Sequence, residues 1–325
     1  MTIRLKLASA LLALSASCAM ASDYPSRPIT VIVPYGAGGP TDTVARIISQ
    51  ALSEQLGERL VIENVAAAGG TVGSARVARS DKDGYTLLFN HIGMATAPFF
   101  YPNAPAHPVK DFDPIGQVAD VPMSLIGRQG LGADDGAKLI ALAKQKGKEI
   151  SIAHAGPGTA SFLCSSLLQH ATGMRPTEVS YNRGFAPAQV DLIAGRVDLI
   201  CDQTTTTTNA INSGGAKAYA VTTKKRLETL PNVPTMNEIG VKDFELAIWH
   251  GFYAPKGTPK PIIDKLSAAL EKALRSKLVA DRFAELGAVP VSAEDATPAG
   301  LAKKLQSEMD RWGPVIQASQ KPQSN

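Results

Sequence analysis

The sequence predicts an α/β protein with two lobes, in which mostly parallel strands alternate with helices. Three observations support this fold class. A β-branched strand, a glycine-rich turn and an amphipathic helix follow one another twice along the chain. Two long apolar segments lack helical periodicity and are suited to cross between lobes. The 325 residues also exceed the usual size of a single hydrophobic core.

Residues 1–21 are predicted to be a secretory signal peptide. This segment has two basic residues, an apolar run over residues 7–14 and a cleavage motif of small residues that ends at Ala21. The apolar run is far shorter than the roughly 20 residues that span a bilayer. Cys18 lacks the upstream leucine that is typical of a lipidated cysteine, so we predict an exported chain that begins after Ala21.

The first unit begins with a strand at residues 29–33, which runs into the glycine-rich turn. From Val44 onward, apolar residues recur at i, i+3, i+4, i+7 and i+8, which is one face of an amphipathic helix. Thr41 or Asp42 is predicted to cap the start of this helix, and Gly57 is predicted to end it.

Further strands and helices follow in alternation. The second unit repeats the strand, turn and helix, and is followed by another helix that starts near Pro187. The predicted strands are residues 60–64, 86–90, 150–154, 179–181 and 197–201, and the predicted helices include residues 71–79 and 160–171, the latter closed by Gly173.

The two apolar segments divide the predicted chain into domains. They cover residues 112–128 and 244–255, are interrupted by prolines and show no helical periodicity. We predict that residues 122–240 form domain 2, inserted into a domain 1 that is built from both ends. Domain 1 then comprises residues 22–121 and 241–325, and ends with helices over residues 262–286 and 298–316.

The two glycine-rich turns are predicted to bind an anion. A helix that begins directly after such a turn presents unpaired backbone N–H groups at the positive end of its dipole. The two termini, at residues 36–42 and 156–161, would face one another if each sheet presents its carboxyl edge to a cleft. The alternative for each turn alone is a tight connection between strand and helix, and the presence of two favours binding.

Five further positions are candidates for ligand contact. Arg183 lies in a turn after a strand, where its guanidinium would clamp a second carboxylate, although a surface arginine is the simpler interpretation. Asp202 follows a strand and either accepts ligand hydrogen bonds or caps the next segment. His91 lies at a strand end, while Trp249 and His250 lie in the second apolar segment, and core roles are equally consistent for all three.

Several classes of function have no support in the sequence. The formal net charge of +4 and the lack of an aromatic ladder argue against nucleic acid as a partner. There is no phosphate-binding loop with Gly-Lys-Ser/Thr, no G-x-S-x-G turn and no Cys/His cluster with metal-ligand spacing. A dinucleotide fingerprint fails because Thr41 occupies the position of its third glycine. We therefore predict no catalytic residue, no metal and no cofactor.

Cys164 and Cys201 are the two cysteines of the predicted mature chain. Export permits their oxidation, and a disulfide between them would contribute roughly 4 kcal/mol on the chain-entropy model. Two buried thiols are the alternative.

Several blocks of the sequence resemble the tripartite tricarboxylate transporter receptors, also called Bug proteins. The blocks stand in family order and include the stretch Tyr35-Gly36-Ala37-Gly38-Gly39-Pro40-Thr41-Asp42; they cover residues 24–46, 155–161, 187–198, 230–235 and 253–259. The resemblance implies a periplasmic binding protein of type 2, with two crossover strands, that closes on its ligand and delivers it to a membrane permease. It also implies that a ligand carboxylate is held between residues 35–42 and 156–161, partly through ordered waters.

The resemblance, together with the turn positions, defines a predicted ligand-binding set. Its members are Tyr35, Gly36, Gly38, Gly39, Asp42, His91, Gly156, Pro157, Gly158, Thr159, Ser161, Arg183 and Asp202. Two departures from the family pattern matter. The family often has Tyr-Lys-Gly where this chain has Asn182-Arg183-Gly184, which keeps a cation but changes its reach. It often has an aromatic or apolar residue where this chain has Cys201, which supports the disulfide.

The predicted function is that of a non-enzymatic, monomeric periplasmic receptor for a small carboxylate, working with the permease subunits of a tripartite transporter. The ligand is a di- or tricarboxylate, or an aromatic dicarboxylate such as terephthalate, which Trp249 would favour if it lines the cleft. The alternatives are a ligand-sensing partner of a membrane signalling protein and a nicotinamide-dependent dehydrogenase.

Overall fold

The computed structural model describes residues 24–182 and 184–320, with the side chains of residues 318–320 left out. The predicted signal peptide, Cys18 and Arg183 therefore lie outside the described residues. Within the described part of the chain, no helix is long and apolar enough to cross a membrane.

The described chain contains ten α-helices and ten β-strands in a mixed α/β arrangement, which confirms the predicted fold class. The strands are β1 Ile29–Val33, β2 Leu60–Asn64, β3 Thr86–His91, β4 Phe112–Gly127, β5 Ser151–His154, β6 Thr177–Ser180, β7 Leu199–Gln203, β8 Lys217–Val221, β9 Ala247–Pro255 and β10 Val289–Pro290. The helices are α1 Pro40–Leu56, α2 Thr71–Ala78, α3 Gly93–Phe100, α4 Gly136–Lys146, α5 Ala160–Thr172, α6 Ala186–Ile193, α7 Thr204–Asn212, α8 Lys260–Leu274, α9 Lys277–Leu286 and α10 Pro298–Gln320.

Two sets of three parallel strands form the ends of the sheet system. The strand order is β2-β1-β3-β9-β4-β7-β5-β6, and β8 and β10 also pair with β4. In the first parallel trio, β1 lies between β2 and β3. In the second parallel trio, β5 lies between β6 and β7. Because the carboxyl ends of parallel strands meet at one edge, each trio gathers its connecting loops at a single edge.

The long strand β4 connects the two trios. Residues 112–122 of β4 pair antiparallel with β9, and residues 123–127 pair with β7 and β8. Nearly all of β4 is buried, which explains why its sequence is a continuous apolar run instead of an alternating one. The change of partner falls between Pro122 and Met123, at the predicted start of domain 2. The division into domains itself stays a prediction.

Helix α1 follows the predicted apolar stripe but begins earlier than predicted. Its stripe from Val44 onward is buried, and Gly57 ends the helix with φ 76°. The predicted caps, Thr41 and Asp42, are wrong: Gly39 is the N-cap, and Pro40 is the first helical residue. Proline suits this position because its missing N–H would have no helical partner.

Two other boundaries differ from the prediction. Residues 262–286 form two helices, because Ser276 ends the first run and its side chain accepts a hydrogen bond from the Val279 N–H of α9. The strand predicted at residues 197–201 lies two residues later, so that its last residues are Asp202 and Gln203. The threonine-rich segment after β7 forms helix α7.

A disulfide joins Cys164 of α5 to Cys201 of β7, with Cα atoms 6.0 Å apart. Both residues are fully buried among the apolar side chains that pack α5 onto the second parallel trio. The bridge fixes the first turns of α5 relative to the end of β7. The predicted disulfide is therefore present, and the alternative of two free thiols is excluded.

Replacing both cysteines by alanine is expected to lower the free energy of unfolding. The two cysteines are 37 residues apart, and a loop of this length corresponds to about 4 kcal/mol of lost chain entropy in the unfolded state. Urea unfolding of the wild type and the Cys164→Ala/Cys201→Ala variant measures the difference. A reductant should destabilise the wild type and leave the variant unchanged. If the reductant leaves the free energy of unfolding of the wild type unchanged, the disulfide does not stabilise the protein.

Candidate functional site

A cleft lies where the carboxyl ends of the two parallel trios meet. Its open cavity holds about 510 Å³ and is lined by a loop or strand end from every one of the six parallel strands. The lining residues are 34–36 and 39–41 after β1, 66–67 and 69–70 after β2, His91 of β3, 155 and 159–161 after β5, 181–182 and 184–185 after β6, and 202–203 of β7. The position agrees with the rule that open α/β sheets bind ligands outside the carboxyl ends of their strands.

Two helix N-termini reach this cavity from opposite trios. Helix α1 enters with Gly39, Pro40 and Thr41, and helix α5 enters with Thr159 and Ala160. Backbone N–H groups in a first helical turn have no carbonyl partner within their own helix. They also lie at the positive end of the helix dipole. The cavity therefore offers two sets of neutral N–H donors to a single anion.

Asp42 holds the first glycine-rich turn in place. Its Oδ2 accepts hydrogen bonds from the Gly38 N–H at 2.9 Å and from Arg46 Nε at 2.8 Å, and its Oδ1 accepts one from Asn64 Nδ2 at 3.0 Å. Burial by itself would raise the pKa of this carboxyl, but these hydrogen bonds and the Arg46 charge outweigh it, so the pKa lies below its ordinary value. Both carboxylate oxygens of Asp42 are thus engaged in hydrogen bonds to the protein itself.

The second turn is held by its own side chains. Ser161 Oγ accepts a hydrogen bond from the Ala155 N–H at 3.0 Å, and Thr159 Oγ1 donates one to the Gly156 carbonyl at 2.6 Å. Gly156 and Gly158 have φ angles of 98° and 80°, which other residues adopt only under strain. These two glycines therefore allow the backbone conformation that the turn requires.

Tyr35 and His91 form one wall of the cavity. Their rings stack with centroids 4.2 Å apart, and the Tyr35 hydroxyl donates to Asn90 Oδ1 at 2.9 Å. His91 Nδ1 accepts a hydrogen bond from the Gly93 N–H at 2.8 Å. Burial, with a further contribution from His250, lowers the pKa of His91 well below its ordinary value. This wall is therefore neutral at physiological pH.

Asp202 also lines the cavity, as the next-to-last residue of β7 just before α7. Its exposed fraction is 2%, and burial raises the pKa of its carboxyl to about 7, against the hydrogen bonds from the Gln203 N–H and the Thr206 hydroxyl. Gln203, and not Asp202, is the N-cap of α7, and the Gln203 side chain makes no capping hydrogen bond.

The structure brings seven residues of the predicted ligand-binding set together at the cavity. They are Tyr35, Gly36, Gly39, His91, Thr159, Ser161 and Asp202. Five others lie in the turns behind the lining, namely Gly38, Asp42, Gly156, Pro157 and Gly158. The sequence analysis missed the loop over residues 66–70 and Gln203. Contact of any of these residues with a ligand stays a prediction.

Pro157 and Gly158 contact the first parallel trio's helix α3 across the cleft. The Thr96 hydroxyl donates to the Gly158 carbonyl at 3.2 Å, and the Tyr101 hydroxyl donates to the Pro157 carbonyl at 3.3 Å. Gly69 lies against the same turn: a Cβ added there would stand 2.5 Å from the Pro157 oxygen. These contacts hold the two sides of the cleft together.

Trp249 and His250 lie behind the cleft and outside its lining. Both are fully buried on β9, and the His250 ring meets the edge of His91 with centroids 5.8 Å apart. Burial lowers the pKa of His250 to about 3. Trp249 therefore gives no support for an aromatic ligand, which depended on its lining the cleft.

The fold and this cleft are those of a two-sided solute-binding protein, and comparison with known proteins gives its family. Residues 44–320 match the model of the tripartite tricarboxylate transporter family receptor. A UPF0065 protein in the TAR-I ttuE-ttuC' intergenic region of Agrobacterium vitis is 49% identical over 293 residues, which are 90% of this chain and 84% of that protein. The chain belongs to the tripartite tricarboxylate transporter receptor family.

Solved structures agree with this assignment. The periplasmic binding protein BugD aligns with a TM-score of 0.88 and 44% identity over 91% of this chain and 98% of BugD. MatC of Rhodopseudomonas palustris with bound malate aligns with a TM-score of 0.86 and 37% identity over 90% of this chain and 100% of MatC. Rpa4515 of R. palustris with adipate aligns with a TM-score of 0.87 and 33% identity over 91% of this chain and 98% of Rpa4515. The family is one of transport receptors, so this protein is not an enzyme, and the dehydrogenase alternative is wrong.

Substituting Gly69 by alanine is expected to open the cleft. The new Cβ would meet the Pro157 oxygen and Tyr101 Cε2 at 2.5 and 2.8 Å, so the facing turn must move away. Small-angle scattering should show a larger radius of gyration for Gly69→Ala than for the wild type.

Gly57→Ala is the matched control for this substitution. Gly57 has a similar positive φ of 76°, compared with 61° for Gly69, but has nothing within 4 Å of an added Cβ. Both variants carry about 1 kcal/mol of backbone strain, and only Gly69→Ala should change the scattering. Identical profiles for both variants and the wild type would show that Gly69 does not set the closed geometry.

Proposed function

We propose that this protein is a periplasmic receptor that captures a small carboxylate in its cleft and delivers it to the permease of a tripartite transporter. The observation that carries the proposal is the convergence of the α1 and α5 N-termini on one cavity. No lysine or arginine is present among the described lining residues, so backbone N–H groups and hydroxyls supply the donors there. Membership of the tripartite tricarboxylate transporter receptor family supports the permease as the destination.

We further propose that the ligand is an aliphatic dicarboxylate. Two structures similar to this chain contain malate and adipate, which are both aliphatic dicarboxylates. The buried position of Trp249 outside the lining removes the sequence-based reason for preferring an aromatic ligand such as terephthalate. The first carboxylate would lie between Thr41 and Ala160, where the two helices begin.

The second carboxylate is proposed to interact with Arg183. The residues on either side of it in the sequence, Asn182 and Gly184, both line the cavity. A guanidinium in this loop suits a carboxylate because it donates two parallel hydrogen bonds. Residues 1–21 are proposed to direct export, and the mature receptor is proposed to act as a monomer.

A calorimetric panel of succinate, malate, adipate, citrate and terephthalate tests the proposed function. We expect an aliphatic dicarboxylate to bind most tightly. At 100 times its dissociation constant, such a ligand should raise the free energy of unfolding by about 2.7 kcal/mol in a thermal-shift assay. A protein that none of these carboxylates stabilises would contradict the proposal.

An isosteric pair of variants at Ala67 separates charge from shape in the same assay. Ala67 lines the cavity and is half-buried, so its loop has room for a slightly larger side chain. Ala67→Asp should weaken dicarboxylate binding by at least tenfold relative to Ala67→Asn, since like charges about 6 Å apart repel by about 3 kcal/mol at an effective dielectric of 20. Equal affinities of the two variants would show that the ligand is not an anion in this cavity.

A further inference from the structure

Asp202 differs from the other buried acidic residues of the described chain. Asp42, Asp202 and Glu308 are the acidic residues buried there. Asp42 pairs with Arg46 at 2.8 Å, and Glu308 pairs with Lys304 at 3.2 Å. Among the described residues Asp202 has no such cation within ion-pair distance.

The hydrogen bonds of Asp202 are also few. Its carboxyl accepts one side-chain hydrogen bond, from the Thr206 hydroxyl at 3.4 Å, and is supported by the Gln203 N–H. Glu308, by comparison, accepts an additional hydrogen bond from Trp312 Nε1 at 2.7 Å. A buried carboxylate is costly unless donors or cations surround it. The described protein supplies fewer donors to Asp202 than to Asp42, and none of the donors to Asp202 is charged, in contrast to those of Asp42 and Glu308.

The open side of Asp202 faces the cavity. Asp202 and Gln203 both line it, and they form the end of β7. Gln203 is itself 1% exposed, and its Oε1 has no hydrogen-bond partner within the described protein. Two side chains with hydrogen-bond acceptors therefore line the same cavity as the N–H donors of the two helix N-termini.

This arrangement places different demands on the different groups of a ligand. The helix N-termini favour a carboxylate, whereas a second carboxylate pressed against an ionised Asp202 would be repelled. A buried acceptor gains most from a ligand group that donates a hydrogen bond, and it discriminates strongly against an analogue that lacks the donor. Hydroxyl and ammonium groups are the donors that small metabolic carboxylates carry.

We infer that Asp202, assisted by Gln203, accepts a hydrogen bond from the ligand, and that the receptor selects carboxylates bearing a hydroxyl or ammonium group over unsubstituted dicarboxylates. The inference rests on the proposed function of the cleft and deepens it by naming the ligand class. Asp202 acts as a specificity-determining residue, while the helix N-termini provide the affinity for the carboxylate.

Titration calorimetry with matched ligand pairs tests this inference. The pairs are malate with succinate, 2-hydroxyglutarate with glutarate, and aspartate with succinate, measured at pH 8 so that Asp202 is ionised. We expect the substituted member of at least one pair to bind tenfold or more tightly, which is the effect of about one hydrogen bond to a charged group. In Asp202→Asn that ratio should fall to about threefold or less, with the largest fall for an ammonium ligand.

The ratio within each pair separates recognition from a merely structural role. If Asp202 only supported the fold, Asp202→Asn would change the affinity of both members equally and leave the ratio unchanged. Glu308→Gln is the matched control, because it removes a buried carboxylate that does not line the cavity. In Glu308→Gln, the ratio of affinities within each ligand pair should equal the ratio measured for the wild type.

Three results would overturn the inference. The first is a ratio near one for every pair in the wild type while some carboxylate still binds, which leaves the proposed function intact. The second is a ratio that persists in Asp202→Asn. The third is tighter binding of the unsubstituted dicarboxylates as the pH falls from 8 to 6, with a ratio near one, which would make protonated Asp202 a donor to the second carboxylate. If no carboxylate of any kind binds, the proposed function fails as well.

Discussion

Unpaired backbone N–H groups at two helix N-termini are the constraint around which this receptor is organised. Each helix must begin at the cleft with donors that its own turns cannot satisfy. The chain meets this requirement with Gly39 and Pro40 at the start of α1 and with Thr159 at the start of α5. Asp42 and Ser161 then fix the two turns, since each accepts a hydrogen bond from a backbone N–H within its own turn. In the proposed function, the carboxylate of the ligand is the partner of these donors.

The rest of the fold keeps the two termini opposed. After Pro122, strand β4 changes its partner from β9, which pairs with β3 of the first trio, to β7 of the second trio, so the same strand supports both sides of the cleft. The Cys164–Cys201 bridge holds α5 against β7, the strand that carries Asp202. Across the cleft, Thr96 and Tyr101 contact the carbonyls of the second turn. Affinity for a carboxylate and the position of Asp202 thus depend on the same packed elements.

The sequence predicts the elements that local pattern determines. Strands β1 and β2 match the prediction because β-branched runs between turns are a local signal, and Gly57 ends α1 because its φ of 76° suits glycine. The start of α1 was misplaced because a proline at the first helical position removes the need for a side-chain cap. The loop over residues 66–70 was missed for a different reason. Its place in the site depends on the approach of Gly69 to Pro157, which are far apart in sequence. The burial of Asp202 away from every cation of the described residues likewise arises only from tertiary packing.

A crystal structure of the receptor with its tightest-binding carboxylate tests the central claim most directly. The account predicts one ligand carboxylate between the two helix N-termini, with its oxygens about 2.7–3.2 Å from the backbone N–H groups of Thr41 and Ala160 or Ser161, directly or through one ordered water. A carboxylate bound elsewhere in the cleft, with both helix termini facing only solvent, would contradict it.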